Sequence, residues 1–440
     1  MRHRLFGSLV LVSSVSAIAL ALGCGTSGDS DDSDDAGDTR SDGATPTGSA
    51  DASSGSDGGS SPTAEGGGGR AVTPPVSTCA PAKVTLGTPV TAKLTSSANS
   101  TANLATGDFN DDGASDVAVL ASGEVDVFLS KKDGTFAAPV SILDRVGSGP
   151  AFVAADFSGD GIPDIVLSSF GMDTVDQSVD LIVSNGDGTF QPPVNYADQS
   201  TLLYSLHAAD VNRDGKLDLV YDGQDSDGVL LNDGHGFASP GTAITLPVNM
   251  KTYDLADFDG DGAADIVYAD VDKGACILRN DGSGTFGAST CFAGTAGSAN
   301  NLAYAGDVNG DGKMDAVTVY DGHSGANGAP TIGVYFGKGD GTLGTVAGIT
   351  AFAMLDGAVL VDANNDGKLD IALYDGTSVT ILPNDGTGAF TAMPAVYALS
   401  NDSSDGPLTT GDFRANGLRG FAALDDVAVG IDVASATCAN

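Results

Sequence analysis

Tryptophan is absent from this 440-residue chain, and aromatic residues make up only 6% of it. Small residues and short alternating strands suit stacked sheets better than a helical core. Basic residues are scarce: 19 Lys and Arg stand against 58 Asp and Glu, a formal net charge of −39. Phosphate backbones would be repelled by such a surface, which excludes nucleic acid as a partner. No Cys-x-x-Cys pair occurs and the four histidines are scattered, which argues against zinc and against a reactive thiol. There is no Gly-x-Ser-x-Gly, no histidine-rich cluster and no Arg-Gly-Asp. Without tryptophan, the candidate sugar platforms reduce to Tyr196, Tyr204 and His323, a thin basis for a lectin.

What the chain has instead is a repeated acidic loop. The pattern D-x-[DNS]-x-D-G-x-x-D occurs six times and runs each time into an apolar strand. The copies begin at Asp108, Asp156, Asp210, Asp257, Asp307 and Asp362, with a degenerate seventh at Asp412; successive starts are 48, 54, 47, 50, 55 and 50 residues apart. Positions 1, 3, 5 and 9 carry short oxygen side chains. In order, the sets are Asp108, Asn110, Asp112 and Asp116; Asp156, Ser158, Asp160 and Asp164; Asp210, Asn212, Asp214 and Asp218; Asp257, Asp259, Asp261 and Asp265; Asp307, Asn309, Asp311 and Asp315; and Asp362, Asn364, Asp366 and Asp370. Ca²⁺ takes six to eight oxygen ligands at about 2.3–2.6 Å and tolerates irregular geometry. Position 6 is Gly in every copy, suited to a left-handed turn.

An Asp-Gly pair alone marks only a β-turn. A turn, however, needs no further carboxylate three residues later, and like charges packed this closely within one loop would repel strongly without a cation among them. The pattern therefore predicts up to six Ca²⁺ sites. An EF-hand is excluded, because position 12 is Val119, Leu167, Tyr221, Tyr268, Thr318 or Leu373 rather than Glu, and β-type runs follow. The seventh copy has Arg414 at position 3 and Gly420 at position 9; it is expected to hold no ion, its guanidinium standing in for one. The loops account for 19 of the 58 acidic residues.

Three segments follow from composition. Residues 1–23 read as a lipoprotein-type signal peptide: Arg2 and Arg4, an apolar stretch from Leu5 to Leu22, then Gly23 and Cys24, with Cys24 the expected lipidation site. A plain signal peptide and an uncleaved anchor are the competing readings. Residues 24–78, rich in Ser, Asp, Gly and Thr, form a disordered acidic linker. Residues 79–440 carry the repeats. In an exported, oxidising compartment the remaining cysteines should form two disulfides. Cys276 and Cys291 flank the turn at Asn280, and Cys79 and Cys438 stand at the two ends of the repeat region.

Each period supplies four strand candidates: one into the first Asp (Phe152–Asp156), one after the loop, a third (Val125–Leu129, Leu181–Ser184, Gly333–Phe336) and a fourth (Pro193–Tyr196). An Asp-Gly-Thr-Phe element between the last two reads as a hairpin turn with a buried aromatic. Four strands per period of about 50 residues is the signature of a β-propeller blade. These runs, with the later Gly-Asp-Gly-Thr-Phe, resemble the FG-GAP/VCBS repeats of bacterial surface proteins, which are related to the propeller of integrin α-subunits. The resemblance implies an all-β, seven-bladed propeller with Ca²⁺ in the loop joining the first two strands of a blade, and partners on the opposite face. The last repeat is one strand short. Val84–Leu94, with its Thr88-Pro89-Val90, resembles the fourth strands at Pro139 and Pro193 and should complete the seventh blade, with Cys79–Cys438 clamping the junction.

These readings lead to a lipid-anchored, calcium-binding propeller at a bacterial outer membrane or cell surface. It is expected to be monomeric and non-enzymatic, and to act in binding, adhesion or scaffolding toward a protein or glycan. The recognition loops would be Phe170–Ser178, Asp321–Thr331, Tyr196–Tyr204 and Ser400–Leu408. The alternatives are a purely structural envelope protein and a polysaccharide lyase or glycosidase, for which Asp173, Asp176 and Asp225 are the uncommitted acids.

Overall fold

The computed structural model describes residues 79, 84–94, 103–121, 123–144, 147–170, 177–199, 203–224, 226–238, 241–247, 252–270, 272–294, 301–320, 331–350, 357–390, 396–398, 408–425 and 430–438. All belong to one of the two units into which the chain divides; the other, Ala17–Val72, lies wholly outside the described residues. The signal peptide, Cys24, the linker and most of the four proposed recognition loops also fall outside them.

Every described element is a strand. The first two are β1 (Val84–Leu86) and β2 (Val90–Lys93). Six four-stranded antiparallel blades follow. Blade 1 is β3 (Asn103–Gly107), β4 (Asp116–Ala121), β5 (Glu124–Phe128) and β6 (Val140–Asp144). Blade 2 is β7 (Gly147–Ala155), β8 (Asp164–Phe170), β9 (Gln177–Ile182) and β10 (Val194–Gln199). Blade 3 is β11 (Leu203–Ala209), β12 (Asp218–Gly223), β13 (Asp227–Leu230) and β14 (Thr242–Ile244). Blade 4 is β15 (Tyr253–Ala256), β16 (Asp265–Asp270), β17 (Gly274–Leu278) and β18 (Thr290–Phe292). Blade 5 is β19 (Asn301–Gly306), β20 (Asp315–Tyr320), β21 (Thr331–Gly337) and β22 (Leu343–Thr350). Blade 6 is β23 (Gly357–Val361), β24 (Asp370–Tyr374), β25 (Ser378–Leu382) and β26 (Val396–Ala398).

The seventh blade takes β27 (Leu408–Gly411), β28 (Gly420–Asp425) and β29 (Gly430–Ala434) from the C-terminal end and its outer strand, β2, from the N-terminal end. Val90 pairs with Val433 and Lys93 with Gly430. The predicted N-terminal strand is therefore present but broken at Gly87–Pro89. Its first part, β1, leaves the blade and pairs with β30 (Ala436–Cys438), placing Val84 opposite Cys438.

Second strands such as Asp116–Ala121 and Asp265–Asp270 are buried at every residue. A strand packed on both faces reads as a continuous apolar run rather than an alternating one, which is what Asp265-Ile-Val-Tyr and its counterparts show. The outer strands β2, β14 and β18 are short and partly exposed, whereas β22 runs for eight residues from the buried Leu343. Val140 and Val194, each just after a proline, are the exposed large hydrophobics among the described residues. Where a proline leads the outer strand, as at β2, β6 and β10, it discourages pairing of that edge with another chain.

Seven apolar clusters each span two neighbouring blades. The cluster joining blade 7 to blade 1 packs Phe413, Ala422 and Ile431 against Leu104, Val117 and Phe128. Each fully buried Phe or Leu contributes about 1.5–3 kcal/mol from removal of apolar surface. Across the same boundary Thr106 Oγ1 donates to the Thr410 carbonyl at 2.9 Å, and the Ser115 backbone N–H to the Asp412 carbonyl at 2.8 Å. The ring is closed, and the fold is a seven-bladed β-propeller.

Both predicted disulfides form. Cys79–Cys438 joins the two ends of the propeller, with Cα atoms 5.8 Å apart, and Cys276–Cys291 links directly paired residues of β17 and β18, with Cα atoms 4.0 Å apart.

Candidate metal centres

Each acidic loop joins the first strand of a blade to the second, as expected, and all six adopt one hydrogen-bonding plan. The position-1 aspartate folds the loop around itself. Its Oδ2 accepts the backbone N–H of the position-6 glycine, at 2.6 Å for Asp108 and 2.8–2.9 Å for Asp156, Asp210, Asp257, Asp307 and Asp362. Its Oδ1 accepts the N–H of position 5, at 2.9–3.3 Å. The position-5 carboxylate accepts the N–H of position 7, from Asp112 and Ala114 through to Asp366 and Lys368. Side chains at positions 1, 3 and 5 thus turn toward the inside of the loop.

The position-9 aspartate has a role the sequence reading missed. Asp116, Asp164, Asp218, Asp265, Asp315 and Asp370 are each 0–1% exposed, and each bridges the loop to the blade's third strand. One oxygen accepts the N–H of position 2, as from Phe258 to Asp265 at 3.1 Å. The other accepts the N–H of the residue that starts the later turn: Ser130, Ser184, Asn232, Asn280, Gly337 or Asn384, at 2.7–3.0 Å. Burial raises these carboxyls, Asp116 and Asp370 to about 7 and Asp218, Asp265 and Asp315 to about 6. The backbone donors oppose the shift, and the neighbouring loop carboxylates add to it.

The turn residues carry a second duty. Ser130, Ser184, Asn232, Asn280 and Asn384 each donate a side-chain hydrogen bond to the position-2 carbonyl of the preceding blade's loop, at 2.7–3.1 Å. In blade 5, where Gly337 lacks a side chain, the Gly341 N–H still donates to the Phe258 carbonyl at 2.9 Å, a backbone bond that Gly188 and Gly284 also make in blades 2 and 4. The aromatic of the turn also meets the preceding loop: Phe190 lies 5.6 Å from Phe109, Phe237 5.5 Å from Phe157 and Phe136 5.7 Å from Phe413. A readable signal existed, since Ser or Asn stands five or six positions before Phe136, Phe190, Phe237, Phe286 and Phe390. The turn aspartates Asp133, Asp187 and Asp385 accept from the Thr two residues on, which makes them turn-formers, as the sequence suggested.

The donor chemistry of all six loops fits a hard divalent cation, while close clustering of three carboxylates is confined, among the described residues, to the fourth loop. All donors are oxygens. Carboxylate oxygens of Asp257, Asp259 and Asp265 lie within 4.8 Å of one another. Ligands on opposite sides of one Ca²⁺ would be about 4.6–5.2 Å apart. In the first loop the Asn110 Oδ1 is buried with no hydrogen-bond partner. Carboxylates already accepting an N–H retain lone pairs for a cation.

The seventh loop keeps the scaffold without the ligands. Asp412 accepts from Gly417 at 2.6 Å and from Asn416 at 3.1 Å, as in the other copies. The Arg414 guanidinium does not fill its own loop. It lies over Gly134 of blade 1, where a Cβ would come within 2.6 Å of Nη2, and its buried Nε has no partner among the described residues.

The FG-GAP-like repeat family matches residues 89–167, 170–221 and 257–318. Those three segments, less than half of the chain, are similar to FG-GAP-like repeats. The matched segments contain the first five loops; the sixth, Asp362–Asp370, lies beyond them and follows the same hydrogen-bonding plan. No curated protein matches the chain. Among solved structures, the fold is similar to that of an Agrocybe aegerita lectin described for specific recognition of non-reducing terminal N-acetylglucosamine. It is 22% identical, covers 68% of this chain and 80% of its own, and has a TM-score of 0.51. A Bacillus licheniformis rhamnogalacturonan lyase is 13% identical over 79% of this chain and 76% of its own, with a TM-score of 0.45. The likeness to the lectin concerns the fold alone.

Proposed function

We propose that this FG-GAP-repeat propeller is a calcium-stabilised binding or scaffold module, exported and held at a membrane surface through lipid on Cys24. The observation that carries the calcium reading is the sixfold recurrence of one oxygen-only loop geometry, with an unpartnered Asn110 Oδ1 in the first copy. Each ion would be held by the position-1, -3, -5 and -9 side chains of a loop. Bound there, it would neutralise the clustered carboxylates and pin the first hairpin of the blade, which the position-9 aspartate already ties to the third strand. The loops at the other end of the strands would meet the partner, a protein or a glycan.

Mass action supplies the test. A ligand that binds only the folded state stabilises it by RT ln(1 + [L]/Kd), about 2.7 kcal/mol per site at a hundredfold excess over Kd. Chelation with EDTA should therefore lower the melting temperature by several degrees, with restoration on adding calcium. An unchanged melt would remove the calcium reading. Glycan-array and pull-down binding with and without calcium tests the partner. A polysaccharide panel assayed for new reducing ends or unsaturated products would replace binding with catalysis if turnover appeared.

A further inference from the structure

The fourth loop differs from the other five in charge and in partners. It alone carries an acid at position 3, Asp259, where the others have Asn110, Ser158, Asn212, Asn309 and Asn364. Two guanidiniums meet that extra charge. Arg279, immediately after β17 of the same blade, donates from Nε to Asp259 Oδ2 at 2.8 Å and from Nη2 to the same oxygen. Arg213, from the third loop, reaches across the blade boundary to Asp261 Oδ2. Its own backbone N–H is held by Asp210 at 2.7 Å, and its guanidinium lies over Gly282, where a Cβ would come within 2.3 Å of it. The turn glycine leaves that path open.

With these pairs in place, every carboxylate oxygen of the fourth loop accepts from a protein donor. In the first and sixth loops Oδ2 of the position-5 acid meets the neutral amide of Asn110 or Asn364, and the nearest ammonium is more distant, Lys132 at 3.5 Å from Asp112 Oδ1 and Lys368 at 3.9 Å from Asp366 Oδ2. In the third, Asp214 Oδ2 meets the Asn212 amide and the Lys216 ammonium, each at 3.4 Å, and no guanidinium among the described residues. Asp160 and Asp311 each keep one oxygen without a donor among the described residues. Asp259 is also the most sheltered partner among the ion pairs of these loops, its side chain 3% exposed, so solvent screens this pair least.

We propose that Arg213 and Arg279 are a built-in counter-ion for the fourth loop, so that it takes its divalent cation more weakly than the other five loops and only by displacing both guanidiniums. This rests on the cation-binding reading above. The four carboxylates carry four negative charges and the two arginines return two, so an incoming ion meets a site half neutralised and must first break two formed pairs.

Calorimetric titration of the full chain with calcium tests it, comparing the parent with Arg213→Gln/Arg279→Gln. The parent should fill five strong sites and one weaker site. The double variant should tighten the weak site about tenfold, the size expected for two partly exposed ion pairs, and leave the other five unchanged. Arg213→Gln alone, which touches only the more exposed pair, should shift the weak site in the same direction by less. Asp261→Asn should remove only the weak phase. Six equivalent sites in the parent, or a weak phase unmoved by the arginine substitutions, would overturn the proposal while leaving the cation reading intact. No uptake by either protein would overturn both.

Discussion

At the scale of single residues, the position-9 aspartates separate scaffold from ligand. Asp265 is fully buried and satisfies two backbone donors, Phe258 and Asn280. Each donor left unpaired costs about 1–3 kcal/mol, so Asp265→Ala should lose roughly 3 kcal/mol or more in urea unfolding even in EDTA. Asp261, on the rim of the same loop, should cost under about 1 kcal/mol under those conditions, because its ion pair is partly exposed. Equal losses would contradict the division. The sequence showed that a carboxylate belonged at position 9 but not that it holds the third strand, since that partner lies 14 to 22 residues away in a turn of variable distance. The Arg213–Asp261 and Arg279–Asp259 pairs were equally hidden, because they depend on which blade lies beside which.

Two other groups, the buried Asp254 and the half-buried His207, set opposing pH slopes. Burial holds the Asp254 carboxyl at about 6, against 3.8 for the free group, while Leu255 and the Ala305 N–H of the next blade oppose the shift. The stability it contributes is full below about pH 3.8 and is lost as pH rises through 6. His207, stacked on Tyr253 at 4.0 Å, is pushed down by burial from 6.5 to about 4. Its contribution is full above 6.5 and is lost as pH falls toward 4. Asp254→Asn should therefore gain stability relative to the parent between pH 4 and 6.5, by up to about 3 kcal/mol, measured as the difference between two unfolding curves at each pH. A difference that stays flat across the window would contradict it.

At the scale of elements, the loop hairpin depends on one backbone conformation. Gly262 has φ +88°, and nothing lies within 4 Å of the point a Cβ would occupy. Gly262→Ala should therefore meet no clash and cost only the left-handed strain, about 1–2 kcal/mol. A thermal melt that drops by much more would mean the space is not open. Strand positions were legible because second strands read as unbroken apolar runs between the position-9 aspartate and the next turn. The N-terminal strand was legible through Pro89, which matches Pro139 and Pro193 ahead of β6 and β10. Its division into β1 and β2 was not, since the pairing of Val84 with Cys438 uses residues beyond the last repeat.

At the scale of the whole molecule, seven blade interfaces each carry an apolar cluster, and the one between blades 7 and 1 is built like the others. Closure therefore rests on ordinary packing, on β2 against β29, and on Cys79–Cys438. That disulfide spans 359 residues, whereas Cys276–Cys291 spans 15. In the chain-entropy model the first contributes about 6 kcal/mol and the second about 3. Cys438→Ser should accordingly lower the urea midpoint more than Cys291→Ser, and the reverse order would show that the junction is held without the clamp. The ring itself was readable from the 50-residue period; the inter-blade bonds of Asn232, Asn280 and Asn384 were not read, although their spacing to the turn Phe was there.

The claim on which the rest depends is that these periodic carboxylate loops are cation cages. Crystals grown in millimolar calcium, with anomalous difference maps measured at long wavelength, address it directly. The account predicts one peak in each loop beginning at Asp108, Asp156, Asp210, Asp257, Asp307 and Asp362, and none in the loop at Asp412. Maps showing only water between those side chains would contradict it.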